Sequence, residues 1–172
     1  KMRRKDRQLS DEDALEIVDD CEYATISLID DEGEIFSIPI SIVREDMSIF
    51  IHGARSGMKS ELLKDGRDVT MVCVSYNHVP QPSQAEFEAI KDDGRALGSK
   101  IFTTEYKGAI LKTKVYEVVD DERKIHALKI LCEKYTPRYM SGFDTAIKAS
   151  LDITRIYEFK IQSMSAKAKI LH

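Results

Sequence analysis

The sequence has no tryptophan, only three cysteines and only four prolines among its 172 residues. Cys21, Cys73 and Cys132 are far apart and form neither a CxxC pair nor a Cys/His cluster. Neither a disulfide framework nor a zinc site is therefore predicted. Each cysteine lies in an apolar pattern, so all three are predicted to pack in the core.

A strong net charge and long apolar runs are also absent. The net charge is −4 and the sequence pI is about 5.6, so general attraction to nucleic acid or to an anionic membrane is not expected. No apolar run approaches the length of a membrane span, and the charged start KMRRKDRQLSDED has no signal-peptide pattern. We therefore expect a cytoplasmic protein with no nucleic-acid or membrane partner. Lys1 precedes Met2 and is expected to be an added residue, which leaves one predicted domain over residues 2–172.

Two amphipathic segments are the clearest predicted helices. In SDEDALEIVDDC, a capping serine and acids in the first turn predict a helix over Ser10–Cys21. In DDERKIHALKILCEKY, apolar residues at helical spacing predict a helix over Asp120–Tyr135, with His126 on the surface. Shorter helices are predicted over Ser56–Gly66 and Phe143–Leu151.

Runs of β-branched and aromatic residues predict about six strands, mostly in hairpin order. They cover residues 23–30, 35–43, 48–52, 68–79, 102–119 and 154–170. Residues 80–100 have no clear period and are predicted to form a loop. Pro39 cannot donate to a ladder, so its strand is predicted to be at an edge, bulged, or open to something lying against it. Long strands in a chain without βαβ alternation favour a closed or partly closed antiparallel barrel.

The segment IHGARSGMKSELL joins a predicted strand to a predicted helix. Gly53 and Gly57 allow the backbone to turn sharply and approach a ligand, while Arg55, Lys59 and the Ser56 hydroxyl add charge and a donor. This combination suits an anion, and a phosphate best. The spacing is not GxxxxGK[ST], so a nucleotide triphosphate loop is not predicted. From these residues alone, an ordinary surface turn stays an open alternative.

Other polar residues are ambiguous. His52 ends an apolar strand and either braces the turn through a backbone carbonyl or faces a ligand. Thr103, Thr104 and Tyr106 are ordinary strand residues that could also offer hydroxyls and an aromatic face. No Ser-His-Asp or Cys-His set can be identified by spacing. The acidic run at residues 30–34 lacks EF-hand spacing, so no metal site is predicted.

Four segments carry a family resemblance: MRRKDRQLSDEDALEIVDDCEYATIS, SIPISIV, IFIHGARSGMKSELL and KIFTTEYKGAILKTKVYEV. In this order and spacing the chain resembles the pyridoxamine 5′-phosphate oxidase-like FMN-binding split barrels, and within them the nitroimidazole-resistance branch. The similarity extends from Met2 to about Lys169. It implies a mainly β fold with flanking helices, a six-stranded antiparallel Greek-key split barrel, and a homodimer with FMN, rather than FAD, in two clefts at the subunit interface.

The resemblance also implies a function, an oxidoreductase that reduces a small-molecule substrate such as a nitroaromatic. A non-catalytic flavin carrier or sensor and a haem-binding split barrel using His52 or His78 are the alternatives. In this resemblance the HGARSGMK turn would hold the ribityl chain and phosphate, SIPI would lie along the flavin ring, and FTTEYKG would come from the other subunit.

The cofactor-binding residues implied in this way are Ser37, Ile38, Pro39, Ile40, His52, Gly53, Ala54, Arg55, Ser56, Gly57, Met58, Lys59, Thr103, Thr104 and Tyr106. His52 is the best candidate for a catalytic residue. Met58 departs from the family pattern, in which this position is often histidine. Because methionine can donate neither a hydrogen bond nor a proton, this departure puts a family catalytic role at this position in question but not flavin binding.

Overall fold

The computed structural model describes residues 4–171, so the expectation about Lys1 lies outside it. The helices are α1 Asp11–Asp20, α2 Met58–Leu62, α3 Gln84–Ile90, α4 Gly94–Lys100, α5 Asp121–Tyr135 and α6 Phe143–Ser150. The strands are β1 Ala24–Ile29, β2 Ile35–Ile40, β3 Val43–Glu45, β4 Ser48–Ala54, β5 Asp68–His78, β6 Glu105–Val118 and β7 Thr154–Lys169. The predicted class, mainly β with flanking helices, is confirmed. Within residues 4–171 no helix is long and apolar enough to span a membrane.

The strands form one seven-stranded sheet in the order β2-β1-β5-β6-β7-β4-β3. Antiparallel registers join β1 to β2, β3 to β4, and β4 to β7. Because β2 is the first strand of this order, Pro39 lies in an edge strand, which is one of the three predicted alternatives, and it pairs with Thr25 of β1. An edge strand accepts a residue without an N–H group because one side of its backbone needs no partner strand.

The strand predicted over residues 35–43 is in fact two strands, which is why the sheet has seven strands and not six. The break falls at Ser41 and Ile42. The Tyr135 hydroxyl accepts a hydrogen bond from the Ile42 N–H (3.0 Å) and donates one to the Ile42 carbonyl (2.7 Å). The Ile42 backbone is therefore satisfied by a side chain of α5 instead of by a neighbouring strand. The two strands on either side of the break lie at opposite edges of the sheet.

The larger of two compact units comprises residues 22–72 and 110–164. Its helix α5 begins after Asp120, whose carboxylate accepts from the Arg123 N–H at 2.9 Å, and the sequence predicts this helix within one residue. One hydrophobic cluster of this unit joins β3, β4 and α5 and consists of Val43, Phe50, Val118, Ala127, Leu128, Leu131 and Ile156. Cys132 is half-buried, and His126 is exposed as predicted.

The smaller unit comprises, within the described residues, 4–21, 73–109 and 165–171. Its helix α1 begins with a capping box: the Ser10 hydroxyl accepts from the Asp13 N–H at 3.1 Å, and the Asp13 carboxylate accepts from the Ser10 N–H at 3.0 Å. The apolar side of the helix is buried. Cys21 and Cys73 are fully buried, which confirms the prediction of core packing for these two.

The prediction that residues 80–100 form a loop without regular structure is wrong. This segment of the smaller unit contains α3 and α4, each seven residues long. Ser83 forms a capping box with Glu86 at the start of α3, and the Asp93 carboxylate accepts from the N–H groups of Arg95 and Ala96 at the start of α4. The caps define two helices that are too short to show a hydrophobic period.

Candidate functional site

The glycine-containing turn follows β4 directly. β4 pairs with β7 through to its end, with His52 opposite Ile156, Gly53 opposite Arg155 and Ala54 opposite Thr154. The chain then turns at Gly57, whose φ of 113° lies in the region that favours glycine. The helix that follows, α2, has only five residues and is much shorter than the predicted helix over residues 56–66. Because α2 is so short, the positive charge at this turn comes mainly from the side chains of Arg55 and Lys59 and not from the start of the helix.

The turn carries two cations without a counter-ion. Arg55 is exposed and Lys59 is half-buried. Among the described residues, no carboxylate lies within ion-pair distance of either side chain, although several other lysines and arginines of the chain are paired. Lys59 bends back over the strand, so that its Nζ lies 3.7 Å from the position that a Cβ on Gly53 would occupy. Ser56 is exposed between the two cations in sequence. Uncompensated positive charge at a turn fits an anionic ligand.

His52 lies on the other face of the strand. Because side chains alternate along a strand, its ring projects away from the side on which a Cβ of Gly53 would lie. The ring keeps access to solvent. Partial burial, and secondly the positive charge of Lys59, hold the pKa of His52 below its ordinary value. The side chain is therefore poised to be neutral unless a negative charge comes close.

Tyr157 of β7 is a member of this region that sequence reasoning missed. It is 1% exposed, and its ring lies 3.9 Å from the position of a Cβ on Gly53. Its hydroxyl oxygen is buried and has no hydrogen-bond partner among the described residues. Burial raises the pKa of the Tyr157 phenol, and the nearby Arg155 guanidinium offsets part of this effect. No sequence signal singles this tyrosine out, because only the register of β7 on β4 brings it under the turn.

The segment SIPI, which the resemblance places along the flavin ring, forms the second half of β2. Ser37 and Pro39 are exposed, while Ile38 and Ile40 are half-buried. The Ser37 and Ser27 hydroxyls lie 2.6 Å apart, and one donates to the other. The strand thus offers an exposed edge, and Pro39 itself has no N–H group that would need a partner there.

A cleft of about 690 Å³ separates the β1–β2 hairpin from α2. Its walls include Phe36 on one side and Met58 and Leu62 on the other. Four acids and one lysine also line it: Asp30, Asp31, Glu32, Glu61 and Lys64. The acidic lining disfavours a phosphate inside the cleft, so the favourable place for a phosphate is at Arg55 and Lys59.

Three predicted site residues belong to the smaller unit. Thr103 and Thr104 precede β6, and Tyr106 is its second residue. The Thr103 hydroxyl accepts a hydrogen bond from the Lys169 ammonium group, Thr104 is exposed and Tyr106 is half-buried. The remaining predicted site residues lie in the larger unit, on β2, at the end of β4, in the turn and at the start of α2.

The turn offers donors and charge but no catalytic set of a nucleophile and its base. Within the part of the chain that the structure describes, no group of three or more His, Cys, Asp or Glu side chains is arranged to hold a metal ion. A phosphorylated cofactor fits the observations at the turn: two unpaired cations, a glycine in a left-handed conformation, and a buried hydroxyl without a partner. The chemistry available here is therefore binding and orientation.

Comparisons with known proteins agree with this architecture. The structure is similar to that of a 5-nitroimidazole antibiotic resistance protein from Bacteroides thetaiotaomicron VPI-5482, with 15% identity, coverage of 94% of this chain and 86% of that chain, and a TM-score of 0.67. It is similar to the FAD and heme binding protein from Mycobacterium smegmatis, with 19% identity, coverage of 95% and 73%, and a TM-score of 0.75. It is also similar to the flavocytochrome Anf3 from Azotobacter vinelandii, with 16% identity, coverage of 99% and 73%, and a TM-score of 0.76.

At these identities the solved structures establish the fold alone. No curated protein matches the sequence. The family model described as pyridoxamine 5′-phosphate oxidase matches residues 10–168, which is nearly the whole chain. This chain is therefore a member of the pyridoxamine 5′-phosphate oxidase family, with the split-barrel fold that its resemblance predicts.

Proposed function

We propose that this protein is an FMN-binding flavoprotein, a single domain over residues 2–172, that reduces a small organic substrate. The observation that carries the proposal is the pair of uncompensated cations, Arg55 and Lys59, at the glycine turn after β4 in a chain of this family. FMN is preferred to FAD because the turn has one cluster of two cations, which suits a single terminal phosphate. Several solved neighbours are named as FAD-binding proteins, and FAD is therefore the competing flavin to test.

In this proposal the residues of the turn bind and orient the cofactor. Arg55, Ser56 and Lys59 would hold the phosphate, and the small residues Gly53, Ala54 and Gly57 would let the backbone come close to it. His52 would donate to the flavin or to a small anion beside it. Met58 would contribute contact only, because it cannot move a proton.

The edge strand would support the flavin ring through Ser37, Ile38, Pro39 and Ile40. Thr103, Thr104 and Tyr106 would approach the ring from a second subunit. When bound, a flavin supplies hydride acceptance and donation, and the protein supplies position, exclusion of water and a proton donor such as His52. A nitroaromatic, as in the nitroimidazole-resistance branch, is the proposed class of substrate.

The visible spectrum of the purified protein tests the cofactor. We expect maxima near about 375 and 450 nm, and FMN as the compound released by denaturation. Anaerobic addition of NADH or NADPH then tests turnover: bleaching at 450 nm, followed by reoxidation with a nitroaromatic, supports a reductase. A protein that neither carries nor takes up FMN would overturn the proposal. Flavin that binds but is never reduced by a nicotinamide donor would make the protein a carrier or sensor.

Haem binding is the second candidate, and two observations favour it. His78 lines a groove of about 510 Å³ in the smaller unit, with apolar walls that include Pro80, Ile90 and Ile101. Two of the solved neighbours are named as a heme-binding protein and a flavocytochrome. A sharp Soret band after incubation with haemin, lost in His78→Ala, would support this function, and its absence would exclude it.

We propose that the protein is a cytoplasmic homodimer without nucleic-acid or membrane partners. Ile29 and Ile35 pair across the β1–β2 hairpin and are 64% and 79% exposed, so the larger unit presents apolar surface that a second copy could cover. The net charge of −4 gives no general attraction to polyanions. Sedimentation of the flavin-loaded protein at micromolar concentration tests the assembly, and a monomer would contradict it.

A further inference from the structure

A carboxylate in the β1–β2 turn binds the chain that follows α2. One carboxylate oxygen of Asp31 accepts from the Lys64 ammonium group, and the other accepts from the Arg67 guanidinium. The lysine and arginine lie 33 and 36 positions later in the sequence. The Arg67 side chain is only 14% exposed, and its second terminal nitrogen has no partner within the described residues. Asp31 is thus the only acid that the structure gives to this buried guanidinium. We call this three-residue contact the clasp.

On the hairpin side, the turn that carries the clasp is closed by hydrogen bonds of its own. The Asp30 carboxylate accepts from the N–H groups of Glu32 (2.9 Å) and Glu34 (2.8 Å). These bonds fix the turn that carries Asp31, because they close it on itself. The carboxylate that holds the clasp therefore projects from an ordered turn.

The clasp is also connected to one cation of the glycine turn, Lys59. Leu63 is 3% exposed, and its N–H donates to the Lys59 carbonyl at 2.9 Å. The Lys64 N–H donates to the Leu62 carbonyl at 2.9 Å. The end of α2, its cap Leu63 and a tight turn at that cap thus join the clasped Lys64 to Lys59.

We propose that Asp31 is a positioning residue for the cofactor turn: by holding Lys64 and Arg67 it fixes α2, and thereby sets Lys59 for the phosphate. This inference rests on the proposed FMN function. It concerns a residue that makes no contact with the cofactor in that proposal.

Electrostatics and positioning predict effects of opposite sign. A carboxylate near an anion site repels the anion, so its removal alone would tighten FMN binding. Loss of positioning weakens binding, because the ordering of Lys59 must then be completed at the binding step. The sign of the change in affinity therefore decides between the two roles.

The test compares Asp31→Asn with Glu32→Gln, which removes the same charge from the same turn. Glu32 has no ion-pair partner among the described residues and so does not contribute to the clasp. For Asp31→Asn we expect FMN to bind about tenfold more weakly and riboflavin to bind as in the parent, because only the phosphate end is affected. For Glu32→Gln we expect FMN affinity equal to or slightly above that of the parent. FMN affinity maintained or improved in Asp31→Asn, or an equal loss for riboflavin, would overturn the inference.

Hydrogen exchange of the cofactor-free protein provides a second measurement, which does not depend on FMN. In Asp31→Asn the amides of residues 58–64 should exchange faster, with α1 and α5 unchanged, whereas Glu32→Gln should match the parent throughout. Unchanged exchange over residues 58–64 would show that the clasp does not hold α2. A parent protein that binds no FMN would instead sink the proposed function, while the exchange result still decides on the clasp.

Discussion

Two polar regions of the larger unit differ in whether their charged side chains have partners within the fold. Where α5 meets the β3–β4 hairpin, Arg123 lies 2.7 Å from the Glu158 carboxylate, which also accepts from the Ser48 hydroxyl at 2.7 Å. His126 Nε2 lies 2.8 Å from a carboxylate oxygen of Glu45 in the same region. Arg123, Glu158 and His126 thus each have a partner within the fold. No external ligand is needed to pair them.

The glycine turn after β4 has no such internal compensation. Arg55 and Lys59 have no carboxylate partner in the described chain, and the Tyr157 hydroxyl beneath the turn has no hydrogen-bond partner. The comparison teaches that an abundance of polar groups does not identify a binding region. A buried polar group that the fold leaves without a partner, here the Tyr157 hydroxyl, is more informative, because native proteins rarely bury such a group without a ligand, a partner or water.

The largest expected effect comes from removing both unpaired cations. In Arg55→Ala/Lys59→Ala, FMN should bind on the order of a hundredfold or more weakly, because charge-assisted bonds to phosphate contribute about 1.5–3 kcal/mol each. Riboflavin should bind almost equally to variant and parent. Quenching of flavin fluorescence measures both affinities. The matched control is Arg138→Ala/Lys148→Ala, which removes the same charge from two exposed positions of α6 and the segment before it. Equal losses in the two double variants would remove the turn from the site.

A substitution in the region of Arg123 and Glu158 should change the free energy of unfolding and leave FMN affinity unchanged. In Glu158→Gln the free energy of unfolding should fall by about 1–3 kcal/mol at neutral pH, because a partly buried charged hydrogen-bond network is broken. Burial raises the pKa of Glu158, but hydrogen bonds from Ser48 and Arg123 outweigh it, so the net pKa is lowered. The stabilisation is therefore present above the ordinary value of 4.5 and is lost as the pH falls through the folded value.

Urea unfolding across pH measures both features of this prediction. The parent should lose stability on the acid side of about pH 4.5, whereas Glu158→Gln should lack this contribution. Glu16→Gln on the exposed face of α1 provides the control for loss of a charge alone. If the free energy of FMN binding fell in Glu158→Gln by as much as the free energy of unfolding, the distinction between the two regions would be wrong.

His52 should produce a smaller, pH-dependent effect. Its folded pKa lies below the ordinary value of 6.5, so the unfolded chain takes up a proton at higher pH than the folded chain does. Stability of the cofactor-free protein should therefore decline as the pH falls from above about 6.5 through the folded value. If bound FMN, or a small anion beside it, brings negative charge to the ring, the protonated form is favoured, and FMN affinity should then gain about two- to fivefold over the same range.

The measurement is the difference between parent and His52→Gln, because the phosphate of FMN itself has a pKa near 6. Glutamine keeps an amide donor but cannot titrate here. Identical pH profiles of stability, affinity and turnover in the two proteins would leave His52 as a brace for the turn.

The smallest expected effect belongs to Tyr157→Phe. Removing a buried hydroxyl that has no partner should leave the free energy of unfolding of the cofactor-free protein unchanged or raise it by up to about 1 kcal/mol. If the hydroxyl meets the cofactor or a water beneath it, FMN affinity should fall about fivefold in the same variant. Destabilisation of the cofactor-free protein would mean that the hydroxyl already has a partner.

Much of the fold could be predicted from local signals. α1 and α5 were predictable because the caps and the apolar stripe are all present within one continuous segment. Pro39 indicated an edge strand as one of three alternatives, and the structure has the edge strand. The caps of α3 and α4 were also present in the sequence, as Ser83 and Asp93, but helices of one to two turns show no period against which to recognise them.

Other features depend on contacts between distant segments and could not be predicted. The break between β2 and β3 arises because Tyr135 binds the Ile42 backbone, which no local pattern encodes. The clasp from Asp31 to Lys64 and Arg67 has the same origin. For the candidate site, the glycine turn and its charges could be predicted, whereas the absence of counter-ions required the structure.

The hydrogen bond between Ile42 and Tyr135 has a consequence for the order of folding. It joins positions 93 residues apart, and contacts of such separation form late because a long loop must close first. The β1–β2 hairpin is local and can form early, but the exit of the chain from β2 is fixed only after α5 has docked. A newly made chain should therefore acquire its helices and hairpins before the edge strand proposed to carry the flavin ring reaches its final place.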